Sequence, residues 1–285
     1  MPDIAFVNGR FLPLVEAVVS IEDRGFQFGD GIYEVIRTYG GRPFELEAHL
    51  ARLDRSARAL DLQQPYSFQQ WQQYVLEAVE KAAHPHAKIY LQVTRGVAPR
   101  DHVYTPGLVP TVVMTVRELV PLSPSKQETG VDTMVIEDGR WGRCDIKSVN
   151  LLANVLARQQ ATKAKMFEAI LVKDGAVTEG AVSNVMVVQD GVVVTAPEGP
   201  RILSGVTRSV VLEIARQEGL PIQERYPSKQ DLYDADEVFL TGTTVEVLGV
   251  VRVDGKAIGA GKPGPLTKRL AKRFTERTTA SSPLL

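Results

Sequence analysis

The sequence predicts an α+β fold in two domains. Three observations carry that expectation. Short runs rich in Val, Ile and Thr recur along the chain, with turn dipeptides between them. Longer stretches with apolar residues at helical spacing are interspersed among them. A Pro/Ser stretch, Val120-Pro-Leu-Ser-Pro-Ser125, interrupts the pattern and reads as a linker. The domains are therefore expected at 1–119 and 127–285, joined by residues 120–126.

The elements follow in order. Ile4 to Val19 alternates around Asn8-Gly9 and reads as a β-hairpin. Ile32 to Tyr39, Gly40-Gly41 and Pro43 to Leu46 read as a second. Glu47 to Leu60 places Leu50, Leu53, Ala57 and Leu60 on one helical face. Ser67 to Ala83 is a helix with Ser67 as N-cap. Lys88 to Thr94 and Thr111 to Val120 are strands, and Gly96 to Pro110 between them is a long loop of the kind that often carries function. Past the linker, Gly130 to Glu137 is a strand and Ser148 to Ala164 a helix. Ala169 to Lys173, Val185 to Gln189 and Val192 to Thr195 are strands punctuated by Asp-Gly at 174–175 and 190–191. Thr207 to Glu218 is a helix stopped by Gly219 and Pro221. Val238 to Thr241 and Val245 to Val253 are strands, Pro265 to Phe274 is a last helix, and the tail from Thr275 is expected to fray.

Composition narrows the function class. With 44% hydrophobic and 24% charged residues among 285, the chain has ample material for a core. A net charge of −1 gives no pull toward nucleic acid or an anionic membrane. The lone Cys144 forbids an internal disulfide and reads as a small buried filler. The start, Met-Pro-Asp-Ile-Ala-Phe, lacks the basic and apolar regions of a signal peptide, and no apolar run is long enough for a membrane span, so a cytoplasmic location is expected. His49, His84 and His86 have no partners at ligand spacing, so no metal site is expected.

Two segments point to chemistry. Asp145-Ile-Lys-Ser-Val-Asn150 sets Lys147 just before a helix-like stretch, and Val177-Thr-Glu-Gly180 offers Glu179 in a turn between strand-like runs. A pyridoxal phosphate site needs such a lysine, and a carboxylate facing the pyridine nitrogen. Taken alone, a lone lysine is more often a solvated surface residue. Gly205-Val206-Thr207 opens a helix and could hold a phosphate on its amides and hydroxyl. Thr243 and Thr244 after Gly242 form a second hydroxyl-rich turn, and Arg52 lies in a helix beside Glu47 and His49. Each of these also has a plain reading, as an N-cap, a strand end or a solvated helix residue. Arg100-Asp-His102 sets two donors two apart, on one face of an extended loop. Asp145 reads as a cap and Trp141 as packing.

In order along the chain stand Glu22-Asp-Arg-Gly-Phe-Gln-Phe-Gly-Asp-Gly-Ile-Tyr-Glu34, Phe44-Glu-Leu-Glu-Ala-His-Leu-Ala-Arg-Leu53 and Val93-Thr-Arg-Gly-Val-Ala-Pro-Arg-Asp-His102. The Lys147 and Glu179 segments come next, and then Ile202-Leu-Ser-Gly-Val-Thr-Arg208 and Leu240-Thr-Gly-Thr-Thr-Val-Glu246. From about Phe6 to Phe274 this ordered set resembles the class IV (fold-type IV) pyridoxal phosphate aminotransferases, most of all their D-amino acid branch. The resemblance implies a fold-type IV enzyme with pyridoxal 5'-phosphate in the cleft between domains. It implies Lys147 as the catalytic lysine joined to the cofactor and Glu179 at the pyridine nitrogen. It also implies phosphate contacts at Arg52, Val206, Thr207 and Thr243, with Thr244 adjoining, and Leu203 against the ring. Tyr33, Arg100 and His102 would bind the substrate α-carboxylate, the last two entering from a neighbouring subunit of a homodimer. The reaction implied is transfer of an amino group between D-amino acids and 2-oxo acids, such as D-alanine and 2-oxoglutarate. The rivals within the fold are branched-chain L-amino acid and (R)-amine transaminases and aminodeoxychorismate lyase. Leu151, where the branched-chain enzymes usually have a tyrosine, favours the D-branch. Arg37 stands closer to the branched-chain pattern, and Ala181 and Val182 replace hydroxyl residues frequent in the D-branch.

Overall fold

A computed structural model describes residues 3–280. The chain forms two compact units. The first comprises the residues up to Val120, the segment Ile146–Asn150 and the end of the last helix from Thr278; the second comprises Pro121–Asp145 and Leu151–Arg277.

The first unit is an antiparallel sheet carrying helices. Its strands are β1 (Ile4–Val7), β2 (Arg10–Pro13), β3 (Gly31–Tyr39), β4 (Arg42–Pro43), β5 (Ala87–Thr94) and β6 (Thr111–Glu118), in spatial order β2-β1-β6-β5-β3-β4. Asn8 and Gly9, both at positive φ, make the tight turn between β1 and β2 that the Asn-Gly pair favours. Between β2 and β3 lies α1 (Arg24–Phe28), a helix the sequence reading did not separate from its motif; Asp23 caps it by accepting from the Gly25 amide. α2 (Leu46–Ala59) and α3 (Phe68–Ala82) follow β4, and α3 opens on a full capping box of Ser67 and Gln70. Ile32, Ile36, Ile89, Leu91, Val93 and Met114 from alternate strand positions pack with Leu50, Leu53 and Ala57 of α2 and Trp71 and Val75 of α3. Glu34, between Ile32 and Ile36 on β3, points into this core and is fully buried.

The second unit opens on α4 (Pro124–Thr129), which occupies part of the expected linker: Pro124 is pre-set for the first helical turn and Gly130, at positive φ, ends it. Its sheet contains β7 (Val131–Glu137), β8 (Glu168–Lys173), β9 (Ala176–Gly180), β10 (Asn184–Gln189), β11 (Val192–Thr195), β12 (Ile222–Glu224), β13 (Glu237–Gly242), β14 (Glu246–Val253) and β15 (Lys256–Ala257). The order is β12-β11-β10-β13-β14-β7-β8-β9, with β15 on β14. The β14–β7, β7–β8 and β11–β12 pairs are parallel and the rest antiparallel. The helices are α5 (Leu152–Lys163), α6 (Val206–Gln217), α7 (Lys229–Tyr233) and α8 (Pro265–Ala280). Ile170, Val185, Val187, Leu240 and Leu248 centre its core.

Three expectations are revised. Glu179 lies on strand β9, not in a turn, because Val177 and Gly180 pair with Val172 and Ile170 of β8. The last helix does not end at Phe274; Thr267, Leu270, Phe274 and Thr278 fall on one buried face and carry it to Ala280. The carboxylate of Glu237 on β13 accepts from the amides of Leu266 and Thr267 and so caps its start. Finally, Ser148–Leu151 is not helical. Residues 146–150, which the sequence boundary assigns to the second domain, are strand-paired into the first unit.

Candidate active site

In the first unit, Lys147 is held by its backbone. The Tyr33 amide donates to the Lys147 carbonyl at 2.9 Å, and the Val149 amide donates to Gly31 at 3.1 Å. The Lys147 amide donates to the Ser56 hydroxyl of α2 at 3.2 Å, and Ile146 is anchored in the core. The side chain is half-buried, with Nζ 4.4 Å from the centre of the Tyr33 ring. It is therefore not the solvated surface lysine of the plain reading. Tyr33 stacks on Tyr90 of β5 at 5.7 Å. Burial, with Tyr33 beside it, pushes the Tyr90 phenol up to about 12, so it stays protonated and donates to Gln92.

Below Lys147, α2 turns His49, Arg52 and Ser56 toward β3. Arg52 Nε and Nη2 donate to the two Glu34 oxygens at 2.7 and 2.9 Å, and His49 Nδ1 lies 2.8 Å from Glu34. Burial opposes the charge of Glu34, but Arg52 and then His49 outweigh it and hold the carboxyl well below the usual range. Burial pushes His49 down, Glu34 opposes, and the charges of Arg52 and Lys147 add to the fall. A neutral His49 therefore donates its Nδ1 proton to a carboxylate that can only accept. Arg52, expected on a phosphate, is thus also one partner of a buried ion pair. Glu34 went unrecognised in the sequence reading, although a glutamate flanked by Ile32 and Ile36 at strand spacing signals a buried carboxylate in need of a cation.

Arg100 and His102 lie exposed on the long loop, together at one place in the first unit. Arg100 donates to the Gln27 carbonyl at 3.2 Å with its guanidinium 4.5 Å from the Phe28 ring centre; His102 lies 5.5 Å from the same ring. Arg37 is buried, with its guanidinium 4.6 Å from the Tyr39 ring centre.

In the second unit, Glu179 is buried and fixed on both oxygens. Asn184 Nδ2 and the Leu203 amide donate to Oε2 at 3.0 and 2.9 Å, and Arg140 donates to Oε1. Arg140 also forks onto Asp138, with Nη2 2.7 Å and Nε 2.9 Å from its oxygens. Burial disfavours the Arg140 charge, yet Asp138 and Glu179 outweigh it and keep the guanidinium ionised. Arg140 was missed in the sequence reading; Glu179 stands 39 residues away and no local spacing links the two.

Gly205 precedes the first turn of α6, and no side chain caps that helix, leaving the amides of Val206 and Thr207 for another partner. A Cβ at Gly205 would come within 2.0 Å of Asn184 Oδ1, so the approach requires glycine. Thr207 is buried, and Thr243 and Thr244 are half-buried in the turn between β13 and β14. Val182 is exposed and Ala181 buried. Trp141, expected in packing, is exposed, and Asp145 pairs with Arg143 at 2.8 Å instead of capping α5. Cys144 is half-buried, its thiol pushed up by burial to about 11 and thus no nucleophile at neutral pH.

Comparison with known proteins decides the family. Residues 31–253 match the family model described as amino-transferase class IV. The chain belongs to the class IV aminotransferases. Among members of this family, a D-alanine aminotransferase of Bacillus licheniformis is 47% identical over 92% of this chain and 93% of its own. One from Staphylococcus haemolyticus is 42% identical, over 95% and 96%. Among solved class IV structures, a branched-chain amino acid aminotransferase of T.th., solved with pyridoxamine 5'-phosphate, superposes with a TM-score of 0.92 at 28% identity, covering 98% of this chain and 95% of that one. The Escherichia coli branched-chain enzyme gives 0.89 at 27% identity, over 99% and 96%.

Proposed function

We propose that this aminotransferase moves amino groups between D-amino acids and 2-oxo acids, D-alanine and 2-oxoglutarate among them, with pyridoxal 5'-phosphate as cofactor. The observation that carries the D-specific reading is the identity of 47% to a D-alanine aminotransferase over nearly the whole chain, in a sequence that carries Tyr33, Arg100 and His102. The branched-chain structures share the fold at 28% and 27% identity, and Arg37 is the one residue that speaks for their substrates. The residues fit the cofactor. The uncapped start of α6, at Val206 and Thr207, is a phosphate site in kind, and the Thr243-Thr244 hydroxyls and Arg52 are suitable donors. Leu203 supplies an apolar contact for the ring. When bound, pyridoxal phosphate supplies an electron sink for the α-carbon.

The chain's own residues then have distinct tasks. The Lys147 amine would hold the cofactor and, when free, would serve as base and acid for the proton that moves between the substrate α-carbon and C4′ of the cofactor. Glu179, an acceptor fixed by three donors, would hold a proton at the ring nitrogen. Arg100, His102 and Tyr33 orient the α-carboxylate, and the side from which they do so selects the hand of the substrate. We place Arg100 and His102 in the active site of a second copy. In support, Val97 and Val103 of this loop and Val18, Ile21 and Phe26 of the α1 segment that it pairs with are exposed, apolar side chains suited to a homodimer interface. No helix among the described residues is long and apolar enough to cross a membrane, and a single cysteine is in keeping with a reducing, cytoplasmic compartment. The test is the initial rate with D-alanine against L-leucine as donor, with 2-oxoglutarate as acceptor. D-alanine is expected to react faster; a preference for L-leucine over every D-amino acid would replace this reading with the branched-chain one.

A further inference from the structure

We infer that Arg24 is a positioning residue for the carboxylate-binding loop. Its guanidinium grips the main chain at Asp101 and His102 and so sets where Arg100 and His102 point. The inference rests on the reading of Arg100 and His102 as the carboxylate donors.

The geometry is specific. Arg24 is 3% exposed at the first position of α1. Nη1 donates to the Asp101 carbonyl at 2.6 Å and Nη2 to the His102 carbonyl at 3.3 Å. Nε donates to Asp30 at 2.8 Å, which fixes the plane of the fork. Asp30 also accepts from Arg95 Nε at 3.1 and 2.9 Å, and the Arg95 guanidinium lies 3.8 Å from the Tyr104 ring centre, at the far end of the same short stretch. Arg95 is tied down in turn by the Leu60 and Asp61 carbonyls at 2.8 and 2.9 Å. The Arg24 amide donates to Gly96 and the Ala98 amide to Glu22, so the loop is bound to the α1 segment at its start as well.

Phe28 completes the arrangement. Arg24 sits 4.8 Å from its ring centre, Arg100 4.5 Å, and His102 5.5 Å. The exposed donors thus rest on a ring and a backbone that one buried guanidinium holds. Without that grip, the carbonyl groups around His102 have only water to meet, and the loop gains freedom. Lysine cannot replace Arg24, because a single ammonium on a flexible stem does not hold Asp30 and two carbonyls in a fixed plane.

The test uses the holoenzyme with Arg24→Lys and Arg24→Met, beside a reference double variant, Arg100→Ala/His102→Ala. The dissociation constants of D-alanine and of unreactive acetate are read from the cofactor's absorbance, the limiting half-reaction rate from single turnovers, and folding from thermal unfolding. A folded Arg24 variant is expected to raise both dissociation constants about tenfold, which is 1.4 kcal/mol, with the limiting rate within about threefold. Adding Arg24→Lys to the double variant should produce little further loss, because the two act through the same contacts. Wild-type dissociation constants in a folded Arg24 variant would overturn the inference, as would a full multiplicative loss in the combined variant. If the double variant itself binds D-alanine and acetate normally, the carboxylate reading of Arg100 and His102 fails first, and the role of Arg24 with it.

Discussion

Glu34 lies on β3 and Lys147 is hydrogen-bonded through its main chain to the neighbouring Tyr33, and the two make opposite demands on their surroundings. Lys147 must reach substrate, and the bonds to Tyr33 and Ser56 hold it through its main chain. Lys147→Ala is therefore expected to fold normally and to lose turnover, together with borohydride fixation of the cofactor; fixation retained in that variant would assign the chemistry to another lysine. Glu34 instead serves stability. Its folded carboxyl lies below the ordinary value, near 4.3 when unfolded, so the unfolded chain binds more protons in acid. Its contribution is fully present above about pH 5 and is lost as pH falls toward the folded value. Glu34→Gln should cost about 3–5 kcal/mol at neutral pH, because it leaves Arg52 as a buried charge without its carboxylate, and it should flatten the acid slope. Urea unfolding between about pH 4 and 7 measures both effects.

At the scale of elements, the start of α6 is a tightly specified junction. Gly205 has an ordinary negative φ, so glycine is required there by space and not by backbone conformation. Gly205→Ala would push Asn184, which holds both Glu179 and the Leu203 carbonyl, and an overpacked site of this kind costs about 1–3 kcal/mol. Cofactor titration should show weaker binding by up to roughly 5–160-fold, the range those energies imply. Unchanged cofactor affinity would remove this helix start from the phosphate site. Local signals described many elements well. Asn8-Gly9 and Ser67 fix their turn and cap through their own backbone chemistry, and Leu50, Leu53 and Ala57 show the buried face of α2. They failed at β9 and at residues 148–151. At β9 the hairpin across Asp174-Gly175 carries pairing with β8 on to Gly180, past the alternating apolar run, and at residues 148–151 the conformation comes from β3, a partner distant in sequence.

For the whole molecule, the proposed role of Arg100 and His102 in a second copy and the exposed apolar residues near them predict a homodimer. Sedimentation equilibrium should return twice 31.3 kDa. Phe26→Asp, at a side chain 73% exposed in the single chain, should shift the protein toward the monomer and lower activity at micromolar concentration while each chain stays folded. A dimer of unchanged strength in Phe26→Asp would move the interface elsewhere, for instance to the exposed Leu152, Val155 and Leu156 of α5.

By itself the sequence determined the α+β alternation, the main hairpins and helices, and the ordered motifs of a class IV aminotransferase, which proposed Lys147 and Glu179 as its site residues. These are local periodicities or short runs, and each can be read without knowing what lies beside it. The tertiary structure alone decided that Lys147 joins the first unit, that Arg52 shares its guanidinium with Glu34, that Arg140 grips Glu179, and that Arg24 holds the loop of Arg100 and His102. Each of these is a polar contact between residues far apart in sequence. Burial makes the pairing obligatory, because an unpaired buried charge is too costly, but only packing determines which partner is within reach.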